Sequence, residues 1–231
     1  MLSVVVPAHN EALLLPATLQ ALHVAADSLG LSWEVIVVDD GSDDGTAAVA
    51  RAEGARVLQV AYRQIAATRN AGARVACGER LLFLDADTCV DATVLAAALR
   101  ALDQGAIGGG ARVTMPEVVA WHVRAGEWLF GWLFRLTRIA PGCFLFCTRA
   151  AFEGVGGFNQ RYYAGEDVAM SRALARLGRF VILRASVRTS ARKLQMFTPW
   201  EHAKLTLRFI WLRRRMLTSR THLDFWYRRR R

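Results

Sequence analysis

The sequence predicts a doubly wound α/β domain with a mostly parallel central sheet. Three observations carry that prediction. Short aliphatic and β-branched runs alternate with helical stretches through the first 105 residues. Several of the helical stretches are closed by a glycine, at Gly30, Gly54 and Gly78. Two of the apolar runs stop abruptly at paired carboxylates, Asp39-Asp40 and Asp85-Ala86-Asp87, at the strand ends where open α/β sheets bind ligands.

Taken in order, Leu2–Val6 is a buried strand that Pro7 stops. Glu11–Leu29 carries Leu15, Leu19 and Leu22 at helical spacing. Val35–Val38 is a second strand, Asp44–Glu53 a short helix, and Arg56–Val60 a third strand. Ile65–Cys77 is an Ala-rich helix, Arg80–Leu84 the fourth strand and Ala92–Leu102 the next helix. Beyond residue 105 the rhythm changes. Ala111–Thr114 and Cys143–Cys147 read as strands, Glu117–Leu136 as a Trp-rich amphipathic helix, and Glu153–Phe158 as a Gly-rich turn. Glu166–Leu177 is a helix, Arg179–Leu183 a strand, and Pro199 to about Leu217 a basic amphipathic helix. No repeat or linker divides the chain. One domain is expected over residues 1–200, with a ligand-binding half 1–105, a second half 106–200, and a tail 201–231.

The composition is 53% hydrophobic over 231 residues, ample for one core. Cys77, Cys89, Cys143 and Cys147 form no C-x-x-C pair and have no histidine at zinc spacing, so they read as reduced packing thiols of a cytosolic protein. Neither a signal peptide nor an uncharged run of membrane-spanning length is expected. The net charge of +10 is uneven: residues 201–231 hold ten basic residues against Glu201 and Asp224, which places +8 there and +2 in residues 1–200. Interleaved with Phe209, Trp211, Phe225 and Trp226, this charge fits an anionic membrane surface at least as well as nucleic acid.

Asp85 and Asp87 are the most informative pair. Strand alternation would send both to one side. Two hard oxygen ligands there suit Mg²⁺ or Mn²⁺ held together with a substrate diphosphate. An isolated D-x-D is common and more often a polar turn. Here it stands in an ordered set: Val4–Glu11, then Val35–Thr46, then Ala67-Thr68-Arg69-Asn70-Ala71-Gly72, then Asp85-Ala86-Asp87, then Gly156-Gly157-Phe158-Asn159 with Gly165-Glu166-Asp167 beyond.

That set, over residues 2 to about 192, resembles the family 2 glycosyltransferases of the GT-A (Rossmann-like) fold. The resemblance implies an inverting transfer from a nucleotide-diphosphate sugar, dependent on Mn²⁺ or Mg²⁺. It implies that Asp87 binds the metal and that Asp85 contacts the ribose or the metal, with Ala86 as the small middle residue. Pro7, Ala8, His9 and Glu11 would line the donor pocket, with His9 against the base or simply exposed in a loop, and Glu11 alternatively a first-turn helix acid. Asp40 would accept from the base, which favours a uracil, hence a UDP-sugar over GDP. Asp39 reads as ordering the Gly41-Ser42 turn. Arg69 and Asn70 would reach the donor, Arg69 being otherwise a solvated helix face. In Glu166-Asp167 the second acid would be the base that deprotonates the acceptor hydroxyl, and Glu166 would contact the acceptor or hold the loop; the pair reads otherwise as an N-cap and first-turn acid of the helix, and both readings can hold at once. Arg192 would reach the diphosphate from a loop, or be surface charge.

The Trp-rich stretch (Trp121, Trp128, Trp132) would either pack the core or wall an acceptor site. The Q-x-x-R-W element of processive synthases is absent after Gln195, so transfer of a single sugar is expected. A nucleotidyltransferase would want an Arg/Lys-rich phosphate loop where Pro7–Glu11 stands. The expectation is an enzyme peripheral to the inner face of the cytoplasmic membrane, its hydroxyl acceptor lipid-linked or membrane-proximal. The alternatives are a soluble transferase acting on a small metabolite or peptide and, more remotely, a non-catalytic binder of nucleic acid or membrane through the arginine-rich tail.

Overall fold

The computed structural model of the chain describes residues 1–115 and 136–190. Residues 117–135 of the Trp-rich stretch, Arg192 and the basic segment from Pro199 onward lie outside the described residues.

One eight-stranded sheet organises the described chain. Its strands are β1 (Leu2–Ala8), β2 (Trp33–Asp40), β3 (Arg56–Val60), β4 (Arg80–Leu84), β5 (Thr88–Cys89), β6 (Gly108–Thr114), β7 (Phe144–Thr148) and β8 (Phe180–Thr189). They lie in the order β3-β2-β1-β4-β7-β6-β8-β5. The β1–β2, β2–β3, β1–β4 and β6–β8 pairs are parallel; β7 runs against β4 and β6, and β5 against β8. Only β7 and β5 therefore oppose the common direction, and the mostly parallel sheet holds with antiparallel strands mixed in.

Strand alternation sorts the core into two layers. Val4, Val6, Val37, Leu82 and Leu84 pack with Leu15, Leu19 and Leu22 of α1 (Leu15–Ser28) and Val94 and Leu95 of α4 (Ala92–Asp103). Val5, Ile36, Val38, Leu81 and Phe83 face the other way, toward α3 (Ile65–Val75), α5 (Arg149–Gly154) and α6 (Glu166–Leu177). A short α2 (Thr46–Ala52) joins β2 to β3. Burial on both faces explains why these strands read as unbroken apolar runs. The order 3-2-1-4 reverses direction between β1 and β4, so a crevice opens at their carboxyl ends.

Several boundaries differ from the sequence expectation. Pro7 does not stop β1, which continues to Ala8 beside Asp39. Pairing with β4 has ended at Val5, so the missing N–H of Pro7 falls where the strand is bonded on one side only. Helix α1 begins at Leu15, not Glu11, after a turn in which the Glu11 carbonyl accepts from the N–H groups of Leu14 and Leu15. Glu11 is thus not a first-turn acid. Part of the stretch expected as a Gly-rich turn is helical: α5 ends at Gly154 and its start is capped by the Thr148 hydroxyl. The Gly108-Gly109-Gly110 run lies inside β6. A Cβ on Gly109 would overlap the Val181 carbonyl and the Phe146 ring, and one on Gly110 would meet Ala140 Cβ at 2.5 Å.

Gly109→Ala should accordingly lower the unfolding free energy by about 1–3 kcal/mol, the usual cost of overpacking a filled core. Urea denaturation of the two proteins checks this, and an unchanged midpoint would contradict the close approach of β6, β7 and β8.

Candidate functional site

The crevice is built from loops that the sheet brings together from distant parts of the chain. After β1, the loop turns at Asn10 with φ of 57°. It is stitched to the loop after β2. The Asn10 N–H donates to Ser42 Oγ at 2.9 Å, the Asp43 N–H to Asn10 Oδ1 at 2.9 Å and the Glu11 N–H to Thr46 Oγ1 at 2.9 Å. Asp39 does order the following turn, its Oδ1 accepting from the Ser42 N–H at 3.0 Å.

Asp40 is buried, and protein donors already occupy it. Its Oδ1 accepts from the Arg63 N–H at 2.8 Å, and its Oδ2 from the Gln64 N–H at 3.1 Å and the Thr68 hydroxyl at 2.9 Å. Gln64 precedes α3 and has no side-chain cap of its own, so Asp40 caps that helix from the neighbouring strand. The same bonds hold Arg63 at φ of 51°. Its guanidinium then donates to the Gly41 carbonyl at 2.9 Å and to His9 Nε2 at 2.6 Å. A guanidinium only donates, so His9 Nε2 is the acceptor of this bond. No pattern in the sequence singled out Arg63.

Asp85 and Asp87 sit in the turn between β4 and β5, beyond the strand, so strand alternation does not govern their directions. The turn is fixed through its backbone. The Asp85 N–H donates to the Cys143 carbonyl at 3.1 Å, the Thr18 hydroxyl to the Ala86 carbonyl at 2.8 Å, and the Ser190 N–H to the Asp87 carbonyl at 3.2 Å. Ala86 is buried, which accounts for a small residue there. Both carboxylates stay partly exposed at the crevice. Among the described residues no group of three or more His, Cys, Asp or Glu side chains is gathered into a metal cage. Two hard carboxylates without a cage are a donor set that suits a cation completed by substrate oxygens and water.

Arg69 is no solvated helix face. It is 1% exposed and lies at the centre of the site. Its Nη2 donates to Asp85 Oδ1 at 2.9 Å and to the Gly142 carbonyl at 2.8 Å, and its Nη1 to Glu166 Oε1 at 2.8 Å. Its guanidinium carbon stands 5.2 Å from the Phe158 ring centroid. Asn70, the next residue, clasps the backbone of Phe158: its Nδ2 donates to the carbonyl and its Oδ1 accepts the N–H, both at 2.8 Å. It pins the Gly157-Phe158 turn to α3.

Gly165 enters α6 with φ of 73°, and Glu166 and Asp167 form the first turn, so the first-turn placement holds. Asp167 Oδ1 accepts from the Val168 N–H at 2.8 Å. A Cβ on Gly142 would lie 2.9 Å from Asp167 Oδ2, so this glycine, unmarked in the sequence, leaves room for the carboxylate. Burial raises the proton affinity of Glu166 and Asp167, and Arg69 opposes that rise without cancelling it. Burial likewise pushes the Cys143 thiol well above its ordinary range, with Asp85 and Asp87 adding to the effect, so it is a packing thiol. All four cysteines are free.

The structure thus gathers Asp85, Arg69, Glu166 and Asp167 at one centre, with Asp87 in the adjoining turn. It sets His9, Asp40 and Arg63 apart as a second group at the ends of β1 and β2. Pro7 and Ala8 form the end of β1 between Glu11 and the core.

Comparison with known proteins follows this geometry. The description "Glycosyl transferase family 2" matches residues 3–153. An undecaprenyl-phosphate 4-deoxy-4-formamido-L-arabinose transferase of Aeromonas hydrophila is 40% identical over 95 residues, 38% of this chain and 29% of that protein. A validoxylamine A glucosyltransferase of Streptomyces hygroscopicus is 41% identical over 92 residues, 37% of this chain and 21% of that protein. The chain therefore spans less than a third of the length of these curated relatives. Among solved structures, the mannosyltransferase PcManGT from Pyrobaculum calidifontis, in complex with GDP-Man and Mn²⁺, superposes with a TM-score of 0.69 at 21% identity, covering 88% of this chain and 59% of that one. S. aureus TarS 1-349 in complex with UDP-GlcNAc gives 0.64 at 20% identity, covering 82% and 58%. These likenesses establish the fold, the GT-A architecture.

Because Asp40 caps α3 through three bonds, Asp40→Ala should lower stability by about 1–2 kcal/mol, the usual cost of losing a helix cap. A chemical denaturation curve that does not move would show that the cap carries no weight.

Proposed function

The chain belongs to glycosyl transferase family 2, and we propose that it is a glycosyltransferase that moves one sugar, with inversion, from a nucleotide-diphosphate sugar to a hydroxyl acceptor. The observation that carries the proposal is the meeting, across one buried guanidinium, of a D-x-D turn with a Glu-Asp pair on a helix N-terminus. The first is chemistry for a diphosphate and its cation; the second is chemistry for removing a proton.

Asp87 and the Asp85 Oδ2 not engaged by Arg69 would hold Mn²⁺ or Mg²⁺. Such a cation offsets the charge of the diphosphate leaving group. Solved relatives of this fold carry GDP-Man with Mn²⁺ and, in a Mycobacterium tuberculosis glucosyl-3-phosphoglycerate synthase, UDP with Mn²⁺. The nucleoside would lie along Pro7, Ala8, His9 and Glu11, with the His9–Arg63 pair beside it. Asp40 reaches a base only if it shares oxygens already bonded to α3. A uracil imide N–H would suit a carboxylate acceptor, as would the N1–H and N2–H pair of guanine, so Asp40 fits a UDP- or a GDP-sugar. Asp167 takes the acceptor proton, and Glu166 holds the first turn of α6 in place. Asn70, with its amide committed to Phe158, serves the donor pocket by shaping it.

Several curated relatives are named for undecaprenyl phosphate. That supports a lipid-linked or membrane-proximal acceptor, met by an enzyme resting on an anionic membrane face through residues 201–231. No described helix is long and apolar enough to cross a membrane. Arg192 remains a candidate for the diphosphate, and a small phosphorylated acceptor is the alternative, since a solved relative of this fold is a mannosyl-3-phosphoglycerate synthase.

A thermal-shift panel of nucleotide sugars with Mn²⁺, Mg²⁺ or EDTA should show one nucleoside diphosphate raising the melting temperature only with metal. Asp87→Ala should abolish that shift, whereas Asp167→Asn should keep it and lose transfer by at least about 100-fold. Full turnover in either variant sinks its assignment.

The pH dependence has a definite sign. A base acts only when deprotonated, and Asp167 holds its proton above the ordinary aspartate range. Transfer should therefore fall on acidification, with a midpoint above that of an ordinary aspartate. A pH–rate profile flat down to that ordinary range would exclude Asp167 as the base.

A further inference from the structure

We infer that Arg69 is a positioning residue that locks the donor-cation carboxylates and the base pair into one rigid unit, without itself touching the reacting atoms. The inference rests on the glycosyltransfer reading above.

Three segments of chain meet on this one side chain. Asp85 lies 16 residues from Arg69, Gly142 73 and Glu166 97. They belong to the turn after β4, the approach to β7 and the first turn of α6. Glu166 lends its oxygen to Nη1, and Asp85 and Gly142 lend theirs to Nη2, at 2.8 or 2.9 Å. Only a planar, multidentate cation holds three acceptors in fixed relative directions; an ammonium would hold them as a point charge. Phe158 flanks the guanidinium, and Asn70 fixes Phe158 in turn, so the fork has little freedom to rock.

The consequences for the acids are direct. Asp85 Oδ1 is tied, which sets the direction of its other oxygen toward the crevice. Glu166 is tied, and Asp167 is its neighbour on the same helical turn, so the bond to Glu166 also fixes where Asp167 points. The Gly142 carbonyl is held by Arg69 while its α-carbon faces Asp167 Oδ2, so the same strap bounds the base from the other side.

Stability alone does not account for the arrangement. A buried ion pair is commonly no better than apolar packing of the same volume, because the desolvation cost offsets the attraction. Arg69 Nε is, moreover, the one buried side-chain nitrogen or oxygen among the described residues without a hydrogen-bond partner. Locally imperfect pairing of this kind is tolerated where geometry serves a site.

The test uses the full chain and four variants: Arg69→Lys, Arg69→Ala, Glu166→Gln and Glu166→Ala. Two quantities are read for each. One is the Kd for UDP and for GDP with Mn²⁺ by calorimetry; the other is nucleoside diphosphate release from a panel of UDP- and GDP-sugars, with water as acceptor. In Arg69→Lys kcat should fall about 100-fold, the scale of a misplacement of about 1 Å, and at least about tenfold more than the affinity for UDP or GDP with Mn²⁺. Methylguanidinium should restore Arg69→Ala at least about tenfold, and methylammonium at equal concentration should not. If the arginine variants fail to fold, the glutamate pair decides. Glu166→Gln keeps an oxygen for Nη1 and should lose at least about tenfold less turnover than Glu166→Ala, which should lose about 100-fold with donor binding intact. Wild-type kcat in Arg69→Lys overturns the inference, as do equal losses of binding and turnover, which would make Arg69 a donor ligand. Equal activity of the two glutamate variants overturns it as well. A wild-type protein that neither binds nor cleaves any donor overturns the transfer reading itself, and this inference with it.

Discussion

A guanidinium withdrawn from water among carboxylates is the constraint around which one end of the crevice is arranged. Arg69 could not be buried on α3 unless acids arrived from elsewhere to neutralise it. Asp85 and Glu166 could not be brought so close to each other without a cation between them. Each partner thus makes the other tolerable. The rest of the fold supplies the conditions: β4 delivers Asp85, α6 delivers Glu166, and Gly142 passes near enough to lend a carbonyl. The proton affinities of Glu166 and Asp167 follow from the same balance, raised by loss of solvent and moderated by one shared positive charge.

A second carboxylate, Asp40, shows how economical the other end of the crevice is. One side chain closes the N-terminus of α3, sets the unusual backbone of Arg63 and so places a guanidinium against His9. Local structure and ligand pocket share the same atoms. Arg69 and Asn70 follow on the same short helix, so the two ends of the crevice are joined through α3 by a rigid element.

Much of this was legible in the residues. The limits of β3, β4 and α6 were read correctly, because turn residues and glycines bound each of these stretches closely. The D-x-D and the Glu-Asp pair were found by their order along the chain. What escaped was long-range. Nothing local distinguishes an arginine on a solvated helix face from one buried among acids 16 and 97 residues away. Arg63 and Gly142 matter through contacts with Asp40, His9 and Asp167 that only the folded sheet creates. Strand β1 runs past Pro7 because β4 ends earlier beside it, a fact of register. The two residues of β5 are too few for any pattern to show.

The end of β8 has a geometric consequence. Thr189 and Ser190 return to the D-x-D turn, where the Ser190 N–H bonds the Asp87 carbonyl. Fourteen peptide units separate Ser190 from Lys204, the first basic residue of the segment 201–231. A chain of that length spans at most about 50 Å. Lys204 is therefore leashed to the D-x-D turn by no more than that distance, and each later basic residue extends the limit by at most about 3.6 Å per residue. How far the basic residues can stand from the carboxylates is thus bounded by chain length, independently of what either end binds.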